Sequence, residues 1–282
     1  MTHHFQHTVT EEMFRDANGI GIFFRSYRPN GQARATIVIC HGVNSHGGQY
    51  NWAAEQFASR GFAVYVIDLR GRGRSEGRRF YIDHIDQYVA GLKQLVSLAK
   101  TREQGLPVYL LGHSAGGVVS TTYVLDNQTE IDGFICESFA FRVYAPKPAL
   151  SLIKGLSHIV PKLPILKLKN RDFSRDPKAV ERLEADPLTR NEVQPVATVA
   201  ALARADDRIE REFARVSLPV LILHGTADRA TEPAGSMMFH ERAGSADKTL
   251  KLYDGYFHDL LADHGKEQVL NDMADWIDAR LG

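Results

Sequence analysis

The stretch YLLGHSAGGVVSTTY, residues 109–123, places one serine between a strand-like run and a helix-like run. Residues 107–111 are rich in β-formers and predict a short buried strand, while the residues after Ser114 predict a helix. Gly112 and Gly116 flank the serine in a Gly-x-Ser-x-Gly pattern. This pattern is typical of a nucleophile elbow, a sharp turn that exposes the serine oxygen. Small residues are common at such turns, so other parts of the chain must decide whether Ser114 is catalytic.

The composition is that of a globular protein without a preferred charge. The chain has 282 residues, 44% of them hydrophobic, which suffices for one large domain with an insertion. Because 34 basic and 34 acidic residues cancel, no global charge favours nucleic acid as a partner. Cys40 and Cys136 fall in predicted buried strands and indicate no disulfide framework. The sequence has neither a long apolar run nor an apolar leader, and it predicts a cytoplasmic protein.

Strand and helix signals alternate along the chain. Asn18-Gly19 marks a hairpin turn near the start. The predicted strands are 13–15, 20–27, 35–40, 62–67, 107–111, 133–136, 219–223 and 249–253, and the main predicted helices are 50–59, 82–100, 234–242 and 266–281. This alternation predicts an α/β protein with a mostly parallel, eight-stranded sheet, helices on both of its faces and an antiparallel hairpin at its beginning.

The alternation stops between residues 138 and 216. We therefore predict three segments: a first part of the core (1–137), an inserted helical lid (138–216) and a second part of the core (217–282). Residues 138–171 contain no acidic residue but seven basic ones, namely Arg142, Lys147, Lys154, Lys162, Lys167, Lys169 and Arg171. Apolar residues from Leu150 to Leu163 recur at spacings of three and four. The stripe either packs on the domain, with the lysines solvated, or docks on an anionic membrane surface.

Asp228 and His258 complete a candidate catalytic triad with Ser114. A serine hydroxyl needs an imidazole to take its proton, and a carboxylate normally orients that imidazole. Both residues come shortly after a predicted strand, in the chain order serine, acid, histidine. Ligand chemistry in parallel sheets gathers at the carboxyl ends of strands. Glu137 ends an earlier strand and is the alternative acid.

The oxyanion of an acyl-transfer intermediate requires backbone donors. The residue after the nucleophile, Ala115, offers one N–H group, and Val43, in the loop after the strand 35–40, offers another. We interpret His41 and His46 as scaffolding of that loop and His113 as a residue packed beside the elbow.

Two further features favour structural interpretations. The arginine-rich stretch 68–79 lacks the Gly-x-Gly-x-x-Gly pattern and interleaved aromatic residues, and it predicts a turn rather than a phosphate or nucleic-acid site. His3, His4 and His7 favour a terminal tail over a metal site. We expect no metal.

Five short motifs occur in a fixed order. They are His41-Gly42…His46, Asp68-x-Arg70-Gly71-x-Gly73-x-Ser75-Glu76-Gly77, Gly112-His113-Ser114-x-Gly116-Gly117, His224-Gly225-x-x-Asp228 and Tyr253-x-Gly255-x-x-His258. Over residues 10–280 this order resembles the monoacylglycerol lipase and lysophospholipase group of α/β-hydrolases, and residues 172–188 resemble that group's lid. The resemblance implies an α/β-hydrolase fold and a serine ester hydrolase that acts on acyl esters, with an acyl channel under a lid and no cofactor.

Two departures from the group concern the expected pocket. Ala115 stands where members commonly carry methionine, and Val43-Asn44-Ser45 stands where a small residue and an acid are frequent. Neither change removes a backbone donor, so the departures bear on the preferred ester rather than on catalysis. A peptidase or amidase of similar architecture and a non-catalytic ligand-binding protein are the alternative functions.

Overall fold

The computed structural model describes residues 7–281 and contains the expected large sheet. His3 and His4 lie outside these residues, whereas His7 begins the first strand. The strands are β1 (His7–Arg15), β2 (Gly21–Pro29), β3 (Ala35–Cys40), β4 (Phe62–Ile67), β5 (Val108–His113), β6 (Gly133–Glu137), β7 (Pro164–Leu166), β8 (Gln194–Pro195), β9 (Val220–Gly225) and β10 (Lys248–Tyr253). The helices are α1 (Asn51–Ala58), α2 (Asp86–Arg102), α3 (Ala115–Asn127), α4 (Lys147–Leu156), α5 (Pro177–Ala185), α6 (Val196–Glu212), α7 (Pro233–Arg242) and α8 (Lys266–Asp278).

Eight strands form the main sheet in the order β1-β2-β4-β3-β5-β6-β9-β10. β2 pairs antiparallel with β1 and β4, and every other pairing in this sheet is parallel. The prediction of a mostly parallel, eight-stranded sheet entered by a hairpin is confirmed. Together with the helices that cover it, this is the α/β-hydrolase fold.

Helices cover both faces of the sheet because the parallel strands are buried on both faces. On one face, α2, α3, α6 and α7 contribute residues such as Leu92, Val118, Ile209 and Phe239 to one apolar cluster. On the other face, α1 and α8 contribute residues such as Phe57 and Met273 to a second cluster.

The parallel strands bring the loops with the candidate residues to one edge of the sheet. β3, β5, β6, β9 and β10 all run in the same direction, so their carboxyl ends meet there. The register pairs Cys40 with Gly112, His113 with Glu137 and Tyr253 with Gly225. Ligand sites of open parallel sheets lie at this edge.

The segment 138–216, which we call the insertion, lies between β6 and β9 and contains α4, α5, α6 and the small β7–β8 pair. α6 packs against both α4 and α3, so it joins the outer part of the insertion to the core. α4 has no buried residue. The boundaries of the insertion and its role as a lid remain predictions.

The start of α3 lies unusually close to the end of β3. A Cβ atom added at Gly116 would lie 2.2 Å from the carbonyl oxygen of Cys40 and 2.4 Å from that of His41. Both atoms belong to the backbone and cannot move independently of the sheet. Only glycine permits this approach.

We predict that Gly116→Ala lowers the free energy of unfolding by about 3 kcal/mol, because the added methyl group overpacks rigid backbone. Urea unfolding, followed by circular dichroism, measures the change. Gly155→Ala on α4 is the matched control, since a Cβ atom there would meet nothing within 4 Å. Equal urea midpoints for Gly116→Ala and the wild type would contradict the prediction.

Candidate active site

Ser114 occupies the turn between β5 and α3 in a strained conformation. Its φ of 55° and ψ of −124° lie in a region that non-glycine residues rarely adopt. The turn is held because the Ser114 N–H donates to the Glu137 carbonyl at 2.9 Å and the Ser114 carbonyl accepts the Gly117 N–H at 2.9 Å. The predicted strand, turn and helix around Ser114 are therefore present, and the geometry is that of an elbow.

Asp228 and His258 are hydrogen-bonded to each other. Nδ1 of His258 lies 2.8 Å from Oδ2 of Asp228, and both side chains are buried, with residue exposures of 1% for His258 and 3% for Asp228. Asp228 follows β9 and His258 follows β10, as the sequence predicted. A carboxylate at this distance fixes the ring orientation and the Nδ1–H tautomer of an imidazole.

The Asp228 carboxylate accepts five hydrogen bonds. Oδ2 accepts from His258 Nδ1, from Thr231 Oγ1 at 2.8 Å and from His224 Nε2 at 3.0 Å. Oδ1 accepts the backbone N–H groups of Ala230 at 2.7 Å and Thr231 at 2.9 Å. Burial alone would raise the pKa of Asp228, but the charge of His258 and the hydrogen bonds from His224 and His258 outweigh it and hold that pKa far below its usual range. Asp228 is therefore ionised.

Two opposing influences act on the pKa of the His258 imidazole. Burial lowers the pKa of His258, but the charge of Asp228 and the hydrogen bond to it raise that pKa above its ordinary value. The ring packs edge-on against Phe173 from the insertion, with 5.2 Å between centroids, and lies tilted against the His113 ring, with 4.9 Å between centroids. Within residues 7–281, Nε2 of His258 is buried and has no hydrogen-bond partner. This nitrogen is thus available for proton transfer.

Two residues hold the backbone of His258. His113 Nε2 lies 3.4 Å from the His258 carbonyl oxygen, and Ser138 Oγ donates to the same oxygen at 2.6 Å. His113 Nδ1 is 2.7 Å from the hydroxyl of Tyr50. Burial lowers the pKa of His113 to about 3, so its ring is neutral. His113 is packed beside the elbow, as predicted, and it also supports the His258 loop.

The loop after β3 contains the candidate oxyanion donor Val43. His41 Nδ1 donates to the Gly42 carbonyl at 2.7 Å, and His41 Nε2 accepts the Leu69 N–H at 3.0 Å. This arrangement fixes the Gly42–Val43 peptide, which carries the Val43 N–H. His41 is therefore a scaffold of the loop, in agreement with the sequence-based interpretation.

Glu137, the alternative acid, lies away from the imidazole hydrogen-bond system. Its Oε1 accepts the Leu261 N–H at 3.2 Å, and within residues 7–281 its buried Oε2 has no partner. Burial and the charge of Asp259 raise the pKa of Glu137 to about 8. Glu137 lines a cavity of about 410 Å³, together with His113, Asp259 and Lys266.

One group of side chains within residues 7–281 has the composition of a metal site. The ligating atoms of His113, His258 and Asp259 lie within 4.8 Å of one another. Nδ1 of His113 is already paired with Tyr50, and Nδ1 of His258 with Asp228. These pairings leave the Nε2 atoms of both rings, and Nε2 of His113 lies 3.4 Å from Oδ1 of Asp259.

The arginine-rich stretch forms a turn. The Asp68 carboxylate accepts the N–H groups of Gly47 and Arg74, each at 2.7 Å, and the Asp68 carbonyl accepts from Ser75 Oγ at 2.5 Å. Arg72 is fully buried and contacts the insertion. The turn therefore has a structural role: Asp68 holds the loop after β3, and Arg72 contacts the insertion.

Three contacts of the site were missed by sequence reasoning. His224 stands in the same short motif as Asp228, so its position was a usable signal. Thr231 and Ser138 gave no signal, because their partners are defined only by the folded chain.

Comparison with known proteins identifies the class. Residues 31–265 match the model of the Hydrolase_4 family, described as serine aminopeptidase, S33. The chain is 30% identical over 276 residues to a monoacylglycerol lipase of Mycolicibacterium smegmatis, covering 97% of this chain and 99% of the relative. It is also 30% identical over 290 residues to a caffeoylshikimate esterase of Arabidopsis thaliana, covering 96% and 86% of the two chains. The crystal structure of the Paleococcus ferrophilus monoacylglycerol lipase superposes with a TM-score of 0.79 at 26% identity, covering 96% and 98%.

The fold and these matches define an α/β-hydrolase. The chain belongs to the Hydrolase_4 family and, within it, to the ester hydrolases related to monoacylglycerol lipases. The resemblance stated from the sequence motifs is confirmed.

We predict that Asp228→Asn lowers kcat by about 10⁴, because the amide favours the wrong imidazole tautomer. Since the Asp228 charge raises the pKa of His258, its loss should also move the acid limb of the pH–rate profile to lower pH. Steady-state hydrolysis of a soluble p-nitrophenyl ester between pH 5 and 9 measures both effects. Glu137→Gln is the matched control, and a larger loss in that variant would transfer the role of acid to Glu137.

Proposed function

We propose that Ser114, His258 and Asp228 form the catalytic triad of an enzyme that hydrolyses carboxylic esters of acyl lipids, such as monoacylglycerols or lysophospholipids. The observation that carries the proposal is the 2.8 Å hydrogen bond between His258 and Asp228, at the same sheet edge as the strained Ser114 turn. The monoacylglycerol lipase of Mycolicibacterium smegmatis, which aligns over nearly the whole chain, supports the acyl-lipid substrate.

In the proposed mechanism, Ser114 Oγ attacks the ester carbonyl carbon while Nε2 of His258 takes the hydroxyl proton. The negative charge of Asp228 stabilises the resulting imidazolium. The backbone N–H groups of Val43 and Ala115 stabilise the oxyanion of the tetrahedral intermediate. The leaving alkoxide takes the proton from His258 and departs. Water, activated by His258, then hydrolyses the acyl-enzyme and restores Ser114.

The alternatives concern the bond that is cleaved and whether cleavage occurs at all. The family model is described as a serine aminopeptidase, so a peptidase or amidase is the main rival. A non-catalytic ligand-binding protein would have no need of a buried, ionised Asp228 paired with His258. The lipase and esterase relatives favour esters over amides.

We predict that a fluorophosphonate probe labels wild-type protein at Ser114 and that Ser114→Ala is inactive in ordinary assays. The reason is that the triad activates this one hydroxyl, and its loss leaves only a residual acceleration of about 10³–10⁴ over water. Intact-mass spectrometry and peptide mapping measure the labelling. Hydrolysis of p-nitrophenyl esters of rising chain length, monoacylglycerol, lysophospholipid and a peptide amide defines the substrate. Equal labelling of Ser114→Ala, or preference for the amide, would overturn the proposal.

We also propose that the insertion makes a peripheral contact with an anionic membrane surface. Within residues 7–281 no helix has the length and apolarity needed to cross a bilayer. The segment 159–169 follows α4 and exposes apolar side chains to solvent, among them Ile159 at 77% and Leu163 at 49%. Lys162, Lys167 and Lys169 are exposed in the same segment. Exposed apolar residues interleaved with lysines match the requirements of an anionic lipid interface.

Lys154 is less suited to this role than the other lysines, because its ammonium group pairs with Asp207 at 2.5 Å. The three lysines of the segment 159–169 are therefore the residues to change. Each basic residue near an anionic surface contributes about 1 kcal/mol to binding.

We predict that Lys162→Gln, Lys167→Gln and Lys169→Gln together lower the partition coefficient onto phosphatidylserine-containing vesicles by about 100-fold at low salt, as three contributions of about 1 kcal/mol imply. Sedimentation with the vesicles measures this coefficient. Hydrolysis of esters in these vesicles should slow, while turnover of a soluble short-chain ester stays unchanged. Lys93→Gln, Lys100→Gln and Lys251→Gln, all outside the insertion, form the control with the same charge change. Equal vesicle binding by both triple variants would refute a membrane role of the segment.

A further inference from the structure

Asn44, the residue after the candidate oxyanion donor Val43, is held by the insertion at two atoms. Its backbone N–H donates to Oε1 of Glu192 at 2.6 Å, and its Nδ2 donates to Oδ1 of Asn170 at 2.7 Å. Its φ of 56° lies in the left-handed region, which non-glycine residues adopt at a cost. Such a conformation persists where surrounding contacts hold it.

Glu192 is itself fixed by a buried ion pair. Glu192 is 3% exposed and Arg72 is fully buried, and Arg72 Nη1 donates to the same Oε1 that accepts the Asn44 N–H. Arg72 also donates from Nε to the Tyr88 hydroxyl and from Nη2 to Oε1 of Gln194, both at 2.8 Å. A buried ion pair adds little net stability, because desolvation of both charges offsets their attraction. Here the ion pair instead fixes the position of Glu192 Oε1, the oxygen that accepts the Asn44 N–H.

Two consecutive peptide groups of the loop are therefore held by different parts of the chain, the first by the core and the second by the insertion. In the Gly42–Val43 peptide, His41 from the core donates a hydrogen bond to the carbonyl oxygen. Because a trans peptide is planar, the Val43 N–H points in the direction opposite to that carbonyl. In the next peptide, Glu192 from the insertion takes the Asn44 N–H. The backbone torsions of Val43 lie between these two fixed planes.

We propose that Glu192 is a positioning residue for ester hydrolysis: its carboxylate, oriented by Arg72, holds Asn44 so that the Val43 N–H points at the developing oxyanion. The inference rests on the proposed function, in which Val43 is an oxyanion donor. Complete loss of one such donor costs about 10²–10³ in kcat. A donor that is present but misaligned should cost less.

The test compares Glu192→Ala with Glu192→Gln on soluble p-nitrophenyl butyrate. For Glu192→Ala we expect kcat to fall about 10- to 100-fold with KM nearly constant, because the lost interaction acts in the transition state. Glu192→Gln should lose less, since its amide oxygen still accepts the Asn44 N–H. A trifluoromethyl ketone supplies a second readout. Ser114 Oγ adds to its carbonyl carbon, the proton passes to His258, and the resulting oxyanion needs the same donors.

Affinity for the trifluoromethyl ketone should therefore fall by the same factor as kcat. Arg79→Gln is the matched control, because Arg79 Nη2 donates to the Leu188 carbonyl of the insertion at 2.9 Å without touching Asn44. We expect its kcat and inhibitor affinity to equal those of the wild type. The double variant Arg72→Met/Glu192→Gln keeps an acceptor for Asn44 without a buried charge and should recover most of the lost kcat. Thermal melts, recorded in parallel, show that each variant is folded at the assay temperature.

Different outcomes separate this inference from the proposed function. If Glu192→Ala changes only the melting temperature or KM, while kcat and ketone affinity keep their wild-type values, Glu192 is a structural residue and the inference is wrong. The proposed function survives that outcome as long as Ser114→Ala is inactive. If wild-type hydrolysis does not depend on Ser114, the proposed function and the inference fail together.

Discussion

The buried carboxylate of Asp228 is the interaction on which the site depends. An isolated charge in this position would be prohibitively costly, yet five donors surround it, supplied by His224, His258, Thr231 and Ala230. These donors come from the end of β9, from the loop before α7 and from the loop after β10. They can converge only because β9 and β10 are parallel neighbours that end at the same edge of the sheet. The sheet topology therefore brings together the donors that stabilise the ionised Asp228 carboxylate. This carboxylate in turn sets the orientation and the basicity of the His258 imidazole.

Much of the sheet could be predicted because buried parallel strands are short apolar runs between turn signals. The first strand shows the limit of this signal. The sequence predicted only residues 13–15, whereas β1 extends from His7 to Arg15. β1 is an edge strand that pairs with β2 alone, and most of its residues are exposed. Edge strands tolerate charged and polar residues that discourage further pairing, so the apolar run that marks a central strand of this sheet is missing from most of β1.

The insertion illustrates a different limit. Apolar spacing continues from Leu150 to Leu163, but α4 ends at Leu156, and Pro161 and Pro164 exclude a helical continuation. Apolar periodicity alone shows the spacing of the apolar residues, but it does not show where the helix ends. The residues beyond α4 are exposed rather than packed on the core, as Ile159 shows. An apolar residue in the sequence predicts burial, but the sequence does not specify whether the residue is buried in the core of its own chain or against another surface.

The candidate triad was predictable because Ser114, Asp228 and His258 each follow a local strand signal. The contacts that hold the site were not predictable, since they join residues far apart in the chain: Ser138 and His258 are 120 positions apart, and Asn44 and Glu192 are 148 positions apart. This separation has a mechanical consequence. A loop whose successive peptide planes are held from two bodies keeps its geometry only while both bodies stay docked. If Glu192 positions the Val43 amide as we propose, a substitution that shifts the insertion should also shift the fraction of molecules with an aligned amide. The insertion is in this sense part of the loop's structure rather than a cover placed over a finished site.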